Sequence, residues 1–236
     1  GETAAALTGP AVTRSNPLVN EAGEYNGVLI PAATAANYTV TAVNGNFIIR
    51  PAGMLLIALS DNSKTYGDAL PGFTATAASY FTTEGAIFRT VTLTAAGANH
   101  YTYDDGFGTT GSFDLTTTGS ATASVGNYGI SVANFTKSGT NFTNWSAPAA
   151  NLNIAPRSVT YSVGGVSKVY DGTTAMNGLT LTVTNKVGAD AVALGGIGTY
   201  ATKAAETGKT YTVTDLSLTG AAAGLDQGVG DTEAGT

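Results

Sequence analysis

Apolar and polar residues alternate with a period of two along much of this chain, and that period predicts half-buried β-strands. Val159, Tyr161 and Val163 alternate with Ser158, Thr160 and Ser162. Leu179, Leu181 and Val183 alternate with Thr180, Thr182 and Thr184, and Tyr211 and Val213 with Thr210, Thr212 and Thr214. Ile87, Val91 and Leu93 mark a further strand with Thr90, Thr92 and Thr94 between them. Met54-Leu55-Leu56-Ile57-Ala58-Leu59 is apolar throughout. Tyr38, Val40 and Ala42 alternate with Thr39, Thr41 and Val43, followed by Asn44-Gly45 and Asn46-Phe47-Ile48-Ile49. Two extended runs joined by Asn-Gly predict a hairpin, because both turn positions need positive φ. Ala42 would face Phe47, and Val40 would face Ile49. Tyr101-Thr102-Tyr103 and Phe113-Asp114-Leu115 flank Asp104-Asp105-Gly106, the turn of a second hairpin. Only residues 32–36 and 201–205 favour helix, and neither leads into an amphipathic stripe. The pattern predicts an all-β protein.

The pattern also repeats. Ser63-Lys64-Thr65-Tyr66-Gly67-Asp68 returns as Ser167-Lys168-Val169-Tyr170-Asp171-Gly172, with the two tyrosines 104 positions apart. Asn46-Phe47-Ile48-Ile49-Arg50-Pro51 returns as Asn151-Leu152-Asn153-Ile154-Ala155-Pro156, the prolines 105 apart. Ala22-Gly23-Glu24-Tyr25 matches Val125-Gly126-Asn127-Tyr128, and Thr207-Gly208-Lys209-Thr210-Tyr211 plays the same part with one residue more. Fixed-period similarity is the mark of a repeat architecture. The spacing divides the chain into residues 1–51, 52–156 and 157–236. The first reads as the closing part of a repeat and the second as a complete one. The third is expected to lack its last strand, which would leave Leu216 and Leu218 uncovered and both ends of the chain open to strand addition. Prolines at Arg50-Pro51-Ala52 and Ala155-Pro156-Arg157 restrict the joins.

Composition sharpens this picture. Charged residues are 11% of the chain, against about 25% in an average soluble protein, while Gly reaches 31 of 236. Thr suits strands, and Gly and Asn suit turns. The net charge of −6 and the lack of a basic run argue against nucleic acid as a partner. No apolar run approaches the ~20 residues of a membrane-spanning helix. With no Cys, disulfides, thiolate metal sites and Cys nucleophiles are excluded.

The residues of the third repeat resemble a known family. Lys168-Val169-Tyr170-Asp171-Gly172-Thr173-Thr174, Val187-Gly188-Ala189-Asp190, Gly198-Thr199-Tyr200 and Thr207-Gly208-Lys209 resemble the YDG repeats of bacterial surface proteins. The second repeat resembles the related MBG repeats, through Tyr66-Gly67-Asp68 and Val125-Gly126-Asn127-Tyr128, and diverges between Thr76 and Ser120. The resemblance implies tandem small antiparallel β-sandwiches, Ig-like, in an extended rod. It implies a large secreted or surface-attached bacterial adhesin akin to the filamentous haemagglutinins, an extracellular setting, and neighbouring repeats as partners. It carries over no catalytic residue and no cofactor.

Lys64, Tyr66, Gly67 and Asp68, with Lys168, Tyr170, Asp171 and Gly172, are the structural motif. Gly permits positive φ and Asp can bond its own backbone. Tyr66 and Tyr170 are expected to plug the end of a core with the hydroxyl hydrogen-bonded. Lys64 and Lys168 read as solvated edge lysines, or as cross-linking lysines with Asn151 or Asn153 as partner. Trp145, Tyr101 and Tyr103 are the candidate contacts for a glycan or a host protein, although the large area of Trp145 favours a core-facing or inter-domain position. Asn37, Asn134, Asn141 and Asn144 stand in Asn-x-Ser/Thr sites. His100, the single His, reads as a strand-end residue, and no Gly-x-Ser-x-Gly elbow accompanies it. Asp104-Asp105-Gly106 lacks the alternate ligands of a calcium loop. The glycine pairs 164–165 and 195–196 precede no helix and are not phosphate loops. The expected function is a structural stalk that projects a distal binding region. A glycan- or matrix-binding module and an accessory region of an extracellular glycosidase are the alternatives.

Overall fold

A computed structural model describes residues 7–36, 38–82, 87–164, 167–220, 226–227 and 232–235. Among them the chain is strand, turn and bend, with no helix. The strands are β1 (Leu7–Arg14), β2 (Gly23–Ala35), β3 (Gly45–Ile49), β4 (Ala52–Leu59), β5 (Asn62–Thr65), β6 (Ala75–Phe81) and β7 (Phe88–Gly97). They continue as β8 (His100–Asp104), β9 (Thr110–Thr117), β10 (Gly126–Ala133), β11 (Phe142–Ser146), β12 (Ala150–Ala155) and β13 (Arg157–Ser158). The last are β14 (Tyr161–Val163), β15 (Leu181–Val183), β16 (Ala193–Tyr200), β17 (Tyr211–Thr219), β18 (Asp226–Gln227) and β19 (Thr232–Gly235).

The chain packs as two compact units. The first comprises Gly1–Ser60, Gly72–Thr117 and Ile130–Ala150, the second Asp61–Pro71, Thr118–Gly129 and Asn151–Thr236. These units do not follow the linear boundaries at 51/52 and 156/157, because 52–156 contributes segments to both.

In the first unit β1, β2 and β3 form an antiparallel sheet, with β2 in the middle. Tyr25 stands opposite Phe47, and the Arg14 guanidinium lies 5.5 Å from the Tyr25 ring and 4.3 Å from the Phe47 ring. The hairpin expected at Asn44-Gly45 does not form: residues 40–44 are not strand, and neither Asn44 nor Gly45 takes positive φ. The 13-residue β2 offers β3 a partner that is already paired on its other side. A three-stranded sheet is the more stable choice over an isolated two-stranded ribbon.

The main sheet of this unit runs β11-β4-β6-β7-β8-β9 and ends on the 130–133 half of β10. Alternate residues of β4, β8 and β9 point inward: Leu55 and Ile57, Tyr101 and Tyr103, Phe113 and Leu115 are buried. Rings stack from the core outward, Tyr101 on Phe113 at 5.6 Å, Tyr103 on Phe135 at 5.5 Å and Phe135 on the exposed Trp145 at 4.9 Å. Such pairs contribute about 0.5–1.5 kcal/mol each beyond their buried area.

In the second unit β5 pairs in parallel with β12, Asn62 opposite Leu152 through Thr65 opposite Ala155. β13 pairs in parallel with β18, β14 pairs antiparallel with β15, and β16-β17-β19 form an antiparallel sheet. Val159, Val183 and Leu194 make a buried cluster against which Tyr161, Leu181, Val192, Leu216 and Leu218 pack. Leu216 and Leu218 are therefore partly covered, not bare as expected. The third repeat also has a closing strand, since β19 pairs with β17 from Tyr211 opposite Gly235 to Thr214 opposite Thr232. Thr-Glu-Ala-Gly has no apolar alternation, so period-2 reading passes over it.

Candidate functional site

The two motif loops differ in their surroundings. In the first, Lys64 is buried and its Nζ donates to the carbonyl oxygens of Asp68 at 2.9 Å and Ala121 at 2.8 Å. It is not the solvated edge lysine expected, because β12 covers the edge of β5. Burial of the ammonium is tolerated because charge-assisted bonds to carbonyls replace water. The Tyr66 amide donates to the Ala155 carbonyl at 2.8 Å, extending the β5–β12 ladder. The Tyr66 ring is buried, 6% exposed, and its hydroxyl donates to Asp190 Oδ2 at 2.9 Å. That core-plugging role was expected for both motif tyrosines.

Residues of the third repeat complete this site. Arg157 Nε donates to the Tyr66 carbonyl at 2.9 Å, and its Nη2 donates to Asp68 Oδ1. Gly67 has φ +83°, and a Cβ there would stand 2.3 Å from Val187 Cγ2. Only glycine accepts both the backbone angle and the contact. The turn 187–190, closed by the Asp190 amide on the Val187 carbonyl at 3.0 Å, thus receives Tyr66 on its carboxylate and Gly67 against its valine.

The second loop closes on itself. Lys168 Nζ donates to Asp171 Oδ1 at 2.9 Å, the Thr173 carbonyl at 2.9 Å and Thr173 Oγ1 at 3.0 Å. Asp171 Oδ1 also accepts the Thr173 amide at 2.9 Å and its hydroxyl at 2.8 Å. The Lys168 bond, followed by those of Thr173, holds the Asp171 carboxyl down at about 2. Tyr170, however, is 63% exposed and Val169 89%. The core-plug expectation is therefore corrected for Tyr170: the loop is held by Lys168 and Asp171, so the ring is not needed to anchor it. Beside it a cleft of about 450 Å³ is lined by Lys168, Tyr170, Tyr200, Glu206, Lys209 and Tyr211 among others.

A third polar centre lies in the first unit, on the β8–β9 hairpin turn. Asp105 is buried. Its Oδ1 accepts the amides of Phe107 at 2.8 Å and Thr109 at 2.9 Å. Its Oδ2 accepts the Tyr80 hydroxyl at 3.2 Å and Asn141 Nδ2 at 2.8 Å. Asn141 Oδ1 in turn accepts the Ala22 amide at 2.6 Å. Thr140 donates its hydroxyl to the Ala22 carbonyl and its amide to Glu21 Oε1 at 3.2 Å. Asn141 is thus the hinge pin between residues 21–22 and the hairpin turn, and its buried amide is unavailable for modification in the folded protein. Asn134, at φ +49°, donates to Asp114 Oδ2 at 2.8 Å, and Asn144 is exposed. Asn37 lies outside the described residues.

The candidate ligand contacts fare differently. Tyr101 and Tyr103 are buried, their hydroxyls donating to the carbonyls of Phe73 at 3.2 Å and Thr136 at 2.7 Å. They belong to the core, so no open aromatic platform forms around them. Trp145 is 39% exposed with one face on Phe135. His100 sits at the start of β8, its Nδ1 2.6 Å from Asp114 Oδ1. Hydrogen bonds from Asn134 and then His100 lower the Asp114 carboxyl. Among the described residues no three His, Asp or Glu side chains converge as a metal site, and no helix is long and apolar enough to cross a membrane.

Burial, then the Asp105 charge, raises the Tyr80 and Tyr103 hydroxyls to about 12. Unfolded tyrosines ionise near 10. Between about pH 10 and 12 the unfolded chain loses protons that the folded one keeps, so stability falls as pH rises. Stability is fully present below about pH 10. A pH series of urea melts should show a decline through that window, weakened by Tyr80→Phe. A flat profile to pH 12 would contradict the assignment.

The Lys168 loop and the turn 187–190 fall within a stretch that is similar to a known family. Residues 155–224 match the model of the YDG domain. The match spans β13 to β17 and contains the Lys168 loop, the turn 187–190, and the cleft between the Lys168 loop and residues 202–209. The YDG-like region therefore supplies Arg157, Val187 and Asp190 to the Tyr66 site. No curated protein and no solved structure matches the chain. The Asp105–Asn141 network and the role of Asp190 escaped sequence reading, since a lone acidic residue on a turn carries no periodic signal. The Val-Gly-x-Asp spelling at 187–190 was the available clue for the latter.

Proposed function

We propose that this chain is a structural stalk or spacer segment of a bacterial cell-surface or secreted adhesin, holding a distal binding region away from the cell. Its repeats would be small Ig-like β-sandwiches, YDG-type in the third and MBG-type in the second, strung as an extended rod in the extracellular space with each other as partners. The observation that supports this best is where the parallel strand pairs lie. β4 with β11 and β5 with β12 each join the opening of the second repeat to its close. Tension enters such a repeat at its first strand and leaves at its last. Because the two run in parallel, the pulls act along the strands in opposite directions. Every ladder bond is then sheared at once, whereas strands pulled apart sideways open one bond at a time. A single bond contributes only about 1 kcal/mol net, so simultaneous loading is what makes a short ladder resist force.

Force spectroscopy on the full chain tests this. Pulled through its two termini, the chain should unfold at clearly higher force than when pulled between a terminus and a cysteine placed at the exposed Ala98. Equal forces in both directions would remove the support for a load-bearing role. The binding-module reading is not favoured, because Tyr101 and Tyr103 are buried.

A further inference from the structure

The chain contains one motif loop that is docked and one that is bare. Tyr66, at 6% exposure, is seated on the turn 187–190 of the next repeat. Tyr170, its counterpart 104 positions on, is 63% exposed, and Val169 beside it 89%. We propose that the 168–172 loop is a docking surface for the Val-Gly-x-Asp turn of another YDG-type repeat, in the way the 64–68 loop receives the turn 187–190. The proposal rests on the tandem-repeat reading and adds the chemistry by which one repeat recognises the next.

Three observations carry it. First, the loop is ordered before any partner arrives. Lys168 and Thr173 tie Asp171 from three directions, so little conformational freedom remains to be lost on docking. An ordered loop that leaves Val169 and Tyr170 in water presents apolar area with no return from its own fold.

Second, the recognition chemistry is already displayed once in this molecule. A Tyr hydroxyl donates to the Asp carboxylate of the turn, a glycine of positive φ meets the Val methyls, and an Arg from the start of the incoming repeat donates to the Tyr carbonyl. A hydroxyl on a carboxylate is a charge-assisted bond, short and directional.

Third, the bare loop has room for that partner. The glycine stands one place later here, Tyr-Asp-Gly in place of Tyr-Gly-Asp. Asp171 is turned in to Lys168, and Gly172, at φ +72°, has nothing within 4 Å of the site a Cβ would occupy. At Gly67 the same position is filled by Val187. The docked valine would therefore sit on Gly172, one residue further from the tyrosine.

Hydrogen exchange on the full chain extended by a second copy of residues 157–236 tests the proposal. The peptide over 167–173 is then present twice. If the added turn docks, this peptide splits into two equal populations, one exchanging at least 10-fold more slowly. Asp190→Ala in the added copy alone should merge them into a single fast population. The peptide over 211–219 reports whether the added copy has folded. A single fast population over 167–173 with uniform protection over 211–219 overturns the docking proposal. It leaves the stalk reading intact, because the force experiment does not involve Tyr170.

A measurement in trans covers the case in which the added copy does not fold. Tyr66→Ala with Tyr170→Ala in one unextended chain takes the tyrosine off the turn 187–190 and leaves no bare tyrosine for self-association; with protection over 211–219 showing that it is folded, sedimentation should show it associating with the Tyr170 loop of wild type. Tyr170→Ala in the wild-type partner should abolish the association. Absence of association, or association that survives Tyr170→Ala, overturns the proposal.

Discussion

Asp105→Ala is expected to lower the stability of the first compact unit by about 3–5 kcal/mol, the cost of breaking a buried charged network by removing one member. The carboxylate accepts from two backbone amides, the Tyr80 hydroxyl and Asn141 Nδ2. Alanine supplies no acceptor, so the Thr109 amide, which is buried, loses its side-chain partner, while Asn141 Nδ2 keeps the Phe107 carbonyl at 3.0 Å. Each buried donor so stranded costs about 1–3 kcal/mol. The loss should spread to residues 21–22, because Asn141 bridges Asp105 to the Ala22 amide. Asp105→Asn keeps the shape and one acceptor but places an amide group among donors, so an intermediate loss is expected. Urea melts of the three proteins decide it. An alanine variant within ~0.5 kcal/mol of wild type, the range of an ordinary surface change, would mean that the network is not what holds the turn.

Tyr66→Ala and Tyr170→Ala should differ widely, although the repeat makes them equivalent. Removing the buried Tyr66 is expected to cost about 3–5 kcal/mol, as for other buried aromatic side chains. It also takes the hydroxyl donor away from the Asp190 carboxylate. Tyr66→Phe, which loses only the bond to Asp190, should cost on the order of 1 kcal/mol. Tyr170→Ala removes a ring that is 63% exposed, and should fall within about 0.5 kcal/mol of wild type. Chemical denaturation followed by hydrogen exchange over 62–68 and 187–190 reads both effects. Equal costs for the two tyrosines would show that the loops have the same surroundings, contrary to the structure.

Much of the strand pattern was legible because it depends on local periodicity. Tyr101, Tyr103, Phe113 and Leu115 alternate with polar neighbours and do face the core of their unit. The Asp104-Asp105-Gly106 turn was legible for the same reason, since turn chemistry acts within a few residues. The polar sites were not. Asp190 lies 124 positions from Tyr66, and Asn141 lies 119 from Ala22. Nothing in either local stretch marks the partner. Lys64 and Lys168 show the same limit: one motif, but Lys64 reaches the Ala121 carbonyl, far away in the chain, while Lys168 bonds Asp171 and Thr173 of its own loop.

From the sequence alone came the all-β class, the repeat and its spacing, and the resemblance of the third repeat to YDG domains, because strand period, turn residues and motif spelling are all local properties. The tertiary structure decided the rest. It paired β3 with β2 and not with residues 38–43, since a strand takes whichever edge buries more and completes a larger sheet. It set opening and closing strands side by side in parallel, a pairing across some 90 residues that no local pattern can specify. And it gave two equivalent tyrosines opposite surroundings, because burial belongs to the neighbour that covers a residue and not to the residue itself.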